Sequence, residues 1–319
     1  MRSLGITVLG GTGFIGAALV ARLVRDGHRV KVLTRNRARH RALTVLPGLD
    51  LAETDVHDPS ALAEAFRGSD IVINLIGIRA ERGRATFQRV HVELARKVLA
   101  GCRSAGVPRV LQMSALGAGA NAPSRYLKSK AAAEQVLKDE AGPVECTVFR
   151  PSVVIGPDGG LLREFAGLLA LFPALPLARG RARLAPVLLD DVVAAFVAAL
   201  DAPVPGAPLE LCGPEVCTLT ELARRIAAAG GHRRWVFGLP DPLGWLQAAL
   251  LGLVPGSPLS LDTFRSLGLD SVCTDDGFGR LGLRASGPRA AIPGYLGAGQ
   301  PAVRYASYRR AAGMRIDEP

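Results

Sequence analysis

The chain has 319 residues, of which 49% are hydrophobic and 21% charged, which is long and apolar enough for one large core or two unequal ones. This composition excludes intrinsic disorder, and the glycines follow no three-residue period of the kind that indicates collagen. The formal net charge is +11, but 34 of the 39 basic residues are arginines, a bias that does not by itself establish nucleic-acid binding.

Strand-like and helix-like segments alternate over the first half of the chain. The predicted strands cover 6–9, 29–33, 49–54, 70–74, 109–113 and 146–149, and the predicted helices cover 13–25, 59–67, 87–105 and 125–139. Because these strands are mostly apolar and alternate with helices, they predict a parallel sheet that is covered by helices on both faces.

The regular alternation ends at 150–157, beyond which prolines and glycines are denser. We expect a strand at 186–189, a helix at 191–200 and the segment 209–213 to return to the first domain, with a helix at 220–229 after them. The sequence therefore predicts a doubly wound α/β domain and a smaller C-terminal α+β domain. The first is assigned residues 1–155 together with 186–212, and the second is assigned 156–185 and 213–319.

The cysteines and histidines give no metal signature. Five cysteines with no CxxC pair predict neither a disulfide framework nor a zinc site, and they favour a reducing compartment. The five histidines show no HxxxH or HExxH spacing, so no metal site is predicted.

No segment approaches the roughly 18 uncharged apolar residues that a membrane span requires. The first predicted strand begins so early that it leaves little room for a signal peptide. The mostly apolar segment 242–254 is interpreted as a core or domain-interface helix. The alternative is a helix that docks on a membrane surface or a partner.

A glycine-rich turn joins the first predicted strand to the first helix. Its three glycines, Gly10, Gly13 and Gly16, follow the spacing GxxGxxG. Glycine lets the backbone approach a pyrophosphate closely, and the helix N-terminus supplies N–H donors and a positive dipole. The context therefore predicts a dinucleotide site rather than a tight turn alone. The predicted contacts there are Gly10, Thr12, Gly13, Phe14, Ile15 and Gly16.

The second predicted strand ends in basic residues instead of the carboxylate that holds the ribose of NAD. Arg35 and Arg37 follow it, then Arg39 and Arg41, and no carboxylate occurs before Asp50. Guanidinium groups bind a 2′-phosphate well, so NADP(H) is favoured over NAD(H), with a solvated basic loop as the alternative. Residues 1–50 hold nine Lys and Arg against two acids, so most of the net charge lies here and nucleic acid is not a predicted partner.

Two further strand ends are predicted to contact the dinucleotide. Asp55 and Val56 follow the third strand, where the adenine ring is expected. Leu75, Ile76 and Gly77 follow the fourth strand and are expected along the cofactor.

Tyr126 and Lys130 form a YxxxK pair on the predicted helix 125–139. Residues four apart lie on one face of a helix. Lys130 is expected to contact the nicotinamide ribose and to lower the pKa of Tyr126, whose phenol would then exchange a proton with a carbonyl substrate. The alternative is a surface helix that carries an incidental Tyr and Lys.

These motifs resemble the extended, atypical short-chain dehydrogenase/reductase superfamily. The resemblance lies in GGTGFIG (10–16), YLKSK (126–130), RPSVVIGP (150–157) and Asp190-Asp191-Val192. The segments 91–99, 125–134, 211–222 and 258–272 resemble, more narrowly, bacterial relatives of the NADPH-binding accessory subunit of respiratory complex I. The resemblance implies a Rossmann domain with a small C-terminal domain, and it adds cofactor contacts at Tyr126, Lys130 and around Pro151.

The chain also departs from the superfamily pattern. The place of the usual catalytic hydroxyl, just beyond the fifth strand, reads Leu116, although Ser114 serves if the register shifts. A helix position that often carries a catalytic-network Asn reads His91. Without a second hydroxyl, a substrate carbonyl is less polarised. Asp190 and Asp191 are interpreted as an acidic N-cap rather than a catalytic pair.

Two functions follow from these residues. The first is an NADP(H)-dependent oxidoreductase that acts on a carbonyl, a hydroxyl or a quinone-like lipophilic substrate, with Tyr126, Lys130 and Ser114 as its catalytic residues. The second is a non-catalytic NADPH-binding accessory or assembly factor of respiratory complex I or of a ubiquinone-synthesis complex. The expected location is the cytoplasm. A peripheral attachment to the inner face of the membrane or to a respiratory complex is kept as a further expectation.

Overall fold

The computed structural model describes residues 3–297, apart from 158, 202, 203, 205, 206, 232, 255, 256 and 258. The side chain of Arg41, residue His232 and the segment 298–319, on which the sequence-based predictions also drew, lie outside the described residues.

Thirteen strands occur in the described part of the chain, and seven of them form one parallel sheet. They are β1 (Gly5–Leu9), β2 (Arg29–Thr34), β3 (Leu49–Glu53), β4 (Ile71–Asn74), β5 (Arg109–Met113), β6 (Glu145–Pro151), β7 (Val154–Gly156), β8 (Ala174–Leu177), β9 (Arg183–Leu184), β10 (Val187–Leu188), β11 (Leu209–Leu211), β12 (Cys217–Thr218) and β13 (Trp235–Gly238). The large sheet has the order β3-β2-β1-β4-β5-β6-β11. The strand order reverses between β1 and β4, which is where ligands bind in open α/β sheets.

Helices cover both faces of this sheet, which confirms the predicted doubly wound α/β fold. The α-helices of the described residues are α1 (Phe14–Arg25), α2 (Pro59–Phe66), α3 (Leu94–Ala105), α4 (Arg125–Asp139), α5 (Gly160–Leu171), α6 (Leu189–Ala198), α7 (Leu219–Ala229), α8 (Asp241–Leu251), α9 (Leu261–Ser266), α10 (Gly277–Arg280) and α11 (Pro288–Gly297). Buried side chains of α1 and α6 pack on one face, where the rings of Phe149 and Phe196 stack 4.0 Å apart. Those of α2, α3 and α4 pack on the other face.

Only part of the segment 186–212 joins the large sheet. β11 pairs with β6, but β10 pairs with β7 in a separate two-stranded sheet. The predicted helix 191–200 begins earlier, at Leu189, so Asp190 and Asp191 lie in its first turn and the N-cap interpretation is wrong. The carboxylate of Asp191 instead accepts hydrogen bonds from Ser286. The division of the chain into two domains stays a prediction.

Cys212 and Cys273 form a disulfide, so the expectation of no disulfide is wrong. The two residues are 61 positions apart in the sequence. They meet because the chain around Cys273 docks on β11, where the Glu210 carboxylate accepts hydrogen bonds from the backbone N–H groups of Thr274 and Asp275. Such a tertiary pairing leaves no signal in cysteine spacing.

Helix α8 corrects a second expectation. The core or domain-interface interpretation of 242–254 is wrong, since only Gly244 and Ala248 of this helix are buried. Its leucines and Trp245 are largely exposed. Of the helices in the described part of the chain, none is long and apolar enough to cross a bilayer.

Candidate functional site

The glycine-rich turn lies at the carboxyl end of β1, and its backbone is too close-packed for side chains. Gly10 has a φ of +78°, which favours glycine. A Cβ on Gly16 would lie 2.1 Å from the carbonyl oxygen of Gly10. Gly13 is the N-cap of α1 and carries no side chain to cap it. The turn therefore presents the helix N-terminus at close range, as a bound pyrophosphate requires.

Phe14 and Ile15 belong to the first turn of α1, and Thr12 precedes its N-cap. The ring of Phe14 packs on the glycines that follow β7, since a Cβ on Gly159 would lie 2.7 Å from it. This contact links the glycine-rich turn to the start of α5.

The basic loop begins at the same edge of the sheet. Leu9 pairs with Leu33, so the glycine-rich turn and Arg35 follow neighbouring strands at equivalent positions. Arg35 and Arg37 are exposed. The carboxylate of Glu53 also lies here, because it accepts a hydrogen bond from the backbone N–H of Arg37.

The ends of β3 and β4 lie at the same edge of the sheet as the glycine-rich turn. Asp55 is exposed and its carboxylate accepts from the N–H of His57, while Val56 is buried. Leu75 and Ile76 lie against the glycine-rich turn, since a Cβ on Gly10 would be 3.0 Å from the nitrogen of Ile76. Asn74 orients the backbone of the segment that follows β4, because its side-chain oxygen accepts a hydrogen bond from the N–H of Ile76.

Tyr126, Lys130 and His91 converge next to Gly77. A Cβ on Gly77 would lie 3.0 Å from Lys130 Nζ and 3.5 Å from His91 Nε2. The rings of His91 and Tyr126 meet edge to face at 5.7 Å, and Phe87 packs on both. The cluster therefore brings the predicted YxxxK pair and the predicted cofactor contact Gly77 to one place.

His91 lies in a π-helical turn, Gln88–Glu93, that leads into α3. Such turns are frequent at functional sites. Its Nε2 accepts the N–H of Ile78, which places the ring proton on Nδ1, where Ser129 is the partner at 2.8 Å. Ser129 donates in turn to the carbonyl oxygen of Tyr126. This network fixes the neutral tautomer of His91 and orients its ring.

Burial controls the protonation of all three groups. It lowers the pKa of Lys130 to about 8, an effect that the nearby Glu134 opposes. It also lowers the pKa of His91 to about 3, with the charge of Lys130 adding to the effect. Burial raises the pKa of Tyr126 to about 12, and the cation that opposes the rise is Arg79. The expectation that Lys130 lowers the pKa of Tyr126 is therefore wrong for this structure, and the phenol is protonated at neutral pH.

Ser114 is buried just beyond β5, and its hydroxyl donates to the carboxylate of Glu134. The same carboxylate is held by the guanidinium of Arg150. Leu116, at the expected place of the catalytic hydroxyl, is buried, and its N–H donates to the carbonyl oxygen of Pro151. Pro151 is the last residue of β6, the strand that pairs with β5.

Three residues near the cluster were missed by the sequence analysis. Arg79 forms an ion pair with Glu164, which connects the loop after β4 to α5. Asp262 of α9 accepts the N–H groups of Arg125 and Tyr126 at 2.8 and 3.0 Å, so it caps the helix that carries Tyr126. These contacts join residues 85 to 137 positions apart, which no local pattern reveals.

The described residues contain no group of three His, Cys, Asp or Glu side chains that could hold a metal ion. The residues that are present instead match a dinucleotide, because a side chain on Gly10, Gly16 or Gly77 would fill the cradle.

The buried neutral His91 makes the stability of the protein depend on pH. Its pKa is about 3 when folded and about 6.5 when unfolded, so the unfolded chain binds the proton first as the pH falls. We expect the stabilisation to be complete above pH 6.5 and to be lost toward pH 3, at up to about 1.4 kcal/mol per pH unit. Urea unfolding between pH 7 and 4 measures this loss. The variant His91→Gln should show a shallower loss, and equal slopes would contradict the assignment.

Comparisons with known proteins also indicate a domain that binds a nicotinamide dinucleotide. A family model of NAD(P)H-binding domains matches residues 10–163. The mitochondrial NADH dehydrogenase [ubiquinone] 1 alpha subcomplex subunit 9 of Arabidopsis thaliana is 33% identical over 85% of this chain and 71% of its own length. A ceramide reductase of Caulobacter vibrioides is 31% identical over 77% of this chain and 76% of its own. The chain belongs to the extended, atypical short-chain dehydrogenase/reductase superfamily.

Solved structures agree on the fold of this superfamily member. A UDP-glucose 4-epimerase of Thermotoga maritima superimposes with a TM-score of 0.69 at 18% identity, over 95% of this chain and 98% of its own. The predicted resemblance, the Rossmann-like fold and NAD(P)H binding are thereby confirmed, whereas the roles of the individual site residues stay predictions.

Proposed function

We propose that this protein is an NADP(H)-dependent oxidoreductase that reduces a carbonyl group on a lipophilic substrate. The observation that carries the proposal is the cluster of Tyr126, Lys130 and His91 around Gly77, next to the glycine-rich turn. A bound nicotinamide supplies the hydride in this chemistry. The phenol of Tyr126 donates the accompanying proton to the carbonyl oxygen, which its protonated state at neutral pH suits.

Lys130 and His91 support Tyr126 in different ways. Lys130 is buried, and with a pKa of about 8 it is mostly charged at neutral pH and can return a proton to the phenolate. His91 stays neutral and packs edge-on against Tyr126, so it positions the ring without adding a charge. In this proposal Ser114 is a supporting residue, because its hydroxyl is bonded to Glu134.

The choice of NADP(H) over NAD(H) rests on the basic loop. Arg35 is exposed at the strand end where the 2′-phosphate would lie, with Arg37 two residues on. We expect Arg35→Asp to weaken NADPH binding by a factor on the order of 10² while NADH binding changes severalfold at most. Isothermal titration with both nucleotides measures the two effects. The exposed Arg84→Asp serves as the control, and equal losses for the two nucleotides would contradict the assignment.

The lipophilic substrate is supported by the ceramide reductase among the relatives, which acts on a lipid. A panel of NADPH oxidation assays tests it, with a short-chain ketone, a long-chain keto compound and a ubiquinone analogue as substrates. We expect turnover of the long-chain keto compound or the quinone analogue to exceed that of the short ketone. Turnover of the short ketone alone would reject the lipophilic substrate.

The second candidate is a non-catalytic NADPH-binding accessory or assembly factor of a respiratory complex. Two observations favour it: the hydroxyl of Ser114 is held by Glu134, and the place of the usual catalytic hydroxyl is the buried Leu116. Its relatives include subunits of NADH dehydrogenase. If NADPH is bound in equal molar amount but remains unoxidised across the whole panel, this candidate replaces the first. Under both candidates we propose that the nucleotide is bound by the first domain, residues 1–155 with 186–212. We also propose that the protein acts in the cytoplasm.

A further inference from the structure

The segments 171–172 and 235–254 carry a large exposed apolar surface. We propose that this surface, the apolar patch, binds the protein to an anionic membrane. It consists of Leu171, Phe172, Trp235, Phe237, Leu243, Trp245, Leu246, Leu250, Leu251, Leu253 and Val254, all exposed. Trp235, Leu171 and Leu253 are 81%, 77% and 80% exposed, which is unusual for side chains of this size.

The patch is continuous because β8 lies at its centre. Strand β13 pairs with one edge of β8, and its residues alternate so that Val236 is buried while Trp235 and Phe237 face outward. Helix α8 lies at the other edge, where Gln247 bonds to the backbone of Pro176 and Ala178. The exposed positions of a half-buried strand are normally polar. Two aromatic rings at such positions therefore indicate a surface that is buried when it binds another molecule or a membrane.

The charges around the patch select its partner. No charged residue occurs from 242 to 261, whereas Arg233 and Arg234 are exposed directly before Trp235. The acidic side chains nearest in sequence are paired within the protein, Asp241 with Arg179 and Glu164 with Arg79. An apolar surface with tryptophans and flanking arginines matches the interface of a bilayer that contains anionic lipids.

A second copy of the chain matches this surface less well. A twofold symmetric contact would place the patch of one copy on that of the other, so two surfaces that are each flanked by Arg233 and Arg234 would meet. The patch offers no unpaired acidic side chain among its described residues to balance them. Helix α8 spans 11 residues, which is too short to cross a bilayer, since a spanning helix needs about 20.

The patch is close to the catalytic cluster through one short helix. Helix α9 follows α8 and packs on it, and its residue Asp262 caps the helix that carries Tyr126. Attachment through the patch would therefore hold the cluster near the bilayer. The proposal does not depend on the chemistry there, since membrane binding and turnover are measured separately.

The two tryptophans of the chain, Trp235 and Trp245, both lie in the patch, so tryptophan emission reports on it alone. The experiment adds vesicles of phosphatidylcholine, or of equal parts phosphatidylcholine and phosphatidylglycerol, to the full-length protein. We expect a blue shift and co-sedimentation with the anionic vesicles. The double variant Leu246→Ser, Leu250→Ser should bind them at least tenfold more weakly, and Arg233→Glu should lose the preference for anionic lipid.

The matched control is Val45→Ser, Val216→Ser, two exposed apolar residues outside the patch, which should bind as the unmodified protein does. The proposal is overturned if the protein stays in the supernatant with both kinds of vesicle, or if the patch variant binds as well as the control. It is also overturned, in favour of a contact between copies, if sedimentation velocity shows a dimer that the patch variant dissociates and vesicles do not bind. Circular dichroism of each variant confirms that it is folded.

Discussion

Replacing Tyr126 with Phe should lower kcat for the best substrate of the panel by about 10²–10⁴-fold, the range that a positioned general acid contributes. The substitution removes the phenolic hydroxyl and keeps the ring, so the contacts with Phe87 and His91 persist. NADPH binding should change little, because the glycine-rich turn and the basic loop are untouched. Steady-state kinetics and nucleotide titration on the same preparation measure both effects.

The matched control is Tyr295→Phe, which likewise removes a phenolic hydroxyl but lies away from the cluster. The hydroxyl of Tyr295 donates to the carboxylate of Asp190. It should leave kcat near that of the unmodified protein. If Tyr126→Phe retains full turnover, Tyr126 is not the proton donor, and the role assigned to it is wrong.

Replacing Gly16 with Ala should abolish most nucleotide binding, with Kd for NADPH rising by a factor on the order of 10², which corresponds to about 2.8 kcal/mol of binding free energy. The added Cβ would lie 2.1 Å from the carbonyl oxygen of Gly10, and this neighbour is backbone, which cannot rotate away. The turn and the N-terminus of α1 must therefore shift. We also expect the free energy of unfolding to fall by roughly 1–3 kcal/mol.

The matched control is Gly167→Ala, because a Cβ at this position in α5 meets no atom within 4 Å. Alanine there should stabilise the helix by about 0.5–1 kcal/mol and leave nucleotide binding unchanged. Unimpaired NADPH binding by Gly16→Ala would show that the glycine-rich turn does not hold the pyrophosphate.

Local patterns in the sequence predicted the large sheet and the helix that carries Tyr126. Strand β5 and helix α4 have the predicted bounds, Arg109–Met113 and Arg125–Asp139. The apolar residues of the strand are buried, as its sequence predicts. The helix begins at the N-cap Ser124, whose side chain accepts the N–H of Leu127. The glycine spacing predicted the turn because its steric requirement is local.

Contacts between distant segments could not be predicted in this way. Asp262 is an ordinary acidic residue in the sequence, and only the docking of α9 places it on the N-terminus of α4. The same holds for the disulfide between Cys212 and Cys273. Helix α8 was misinterpreted because an apolar segment looks the same whether it faces a core or an exposed surface.

The central claim is that this chain transfers a hydride from bound NADPH to a substrate carbonyl with Tyr126 as the proton donor. A single-turnover reaction tests it most directly, with the protein in excess over NADPH that carries deuterium at the transferring position and with the long-chain keto compound, whose product alcohol keeps the transferred deuterium on carbon. We predict that NADP+ forms in equal molar amount and that mass spectrometry finds one deuterium in the alcohol product. NADPH that stays bound and reduced, with no deuterium in any product, would contradict the claim.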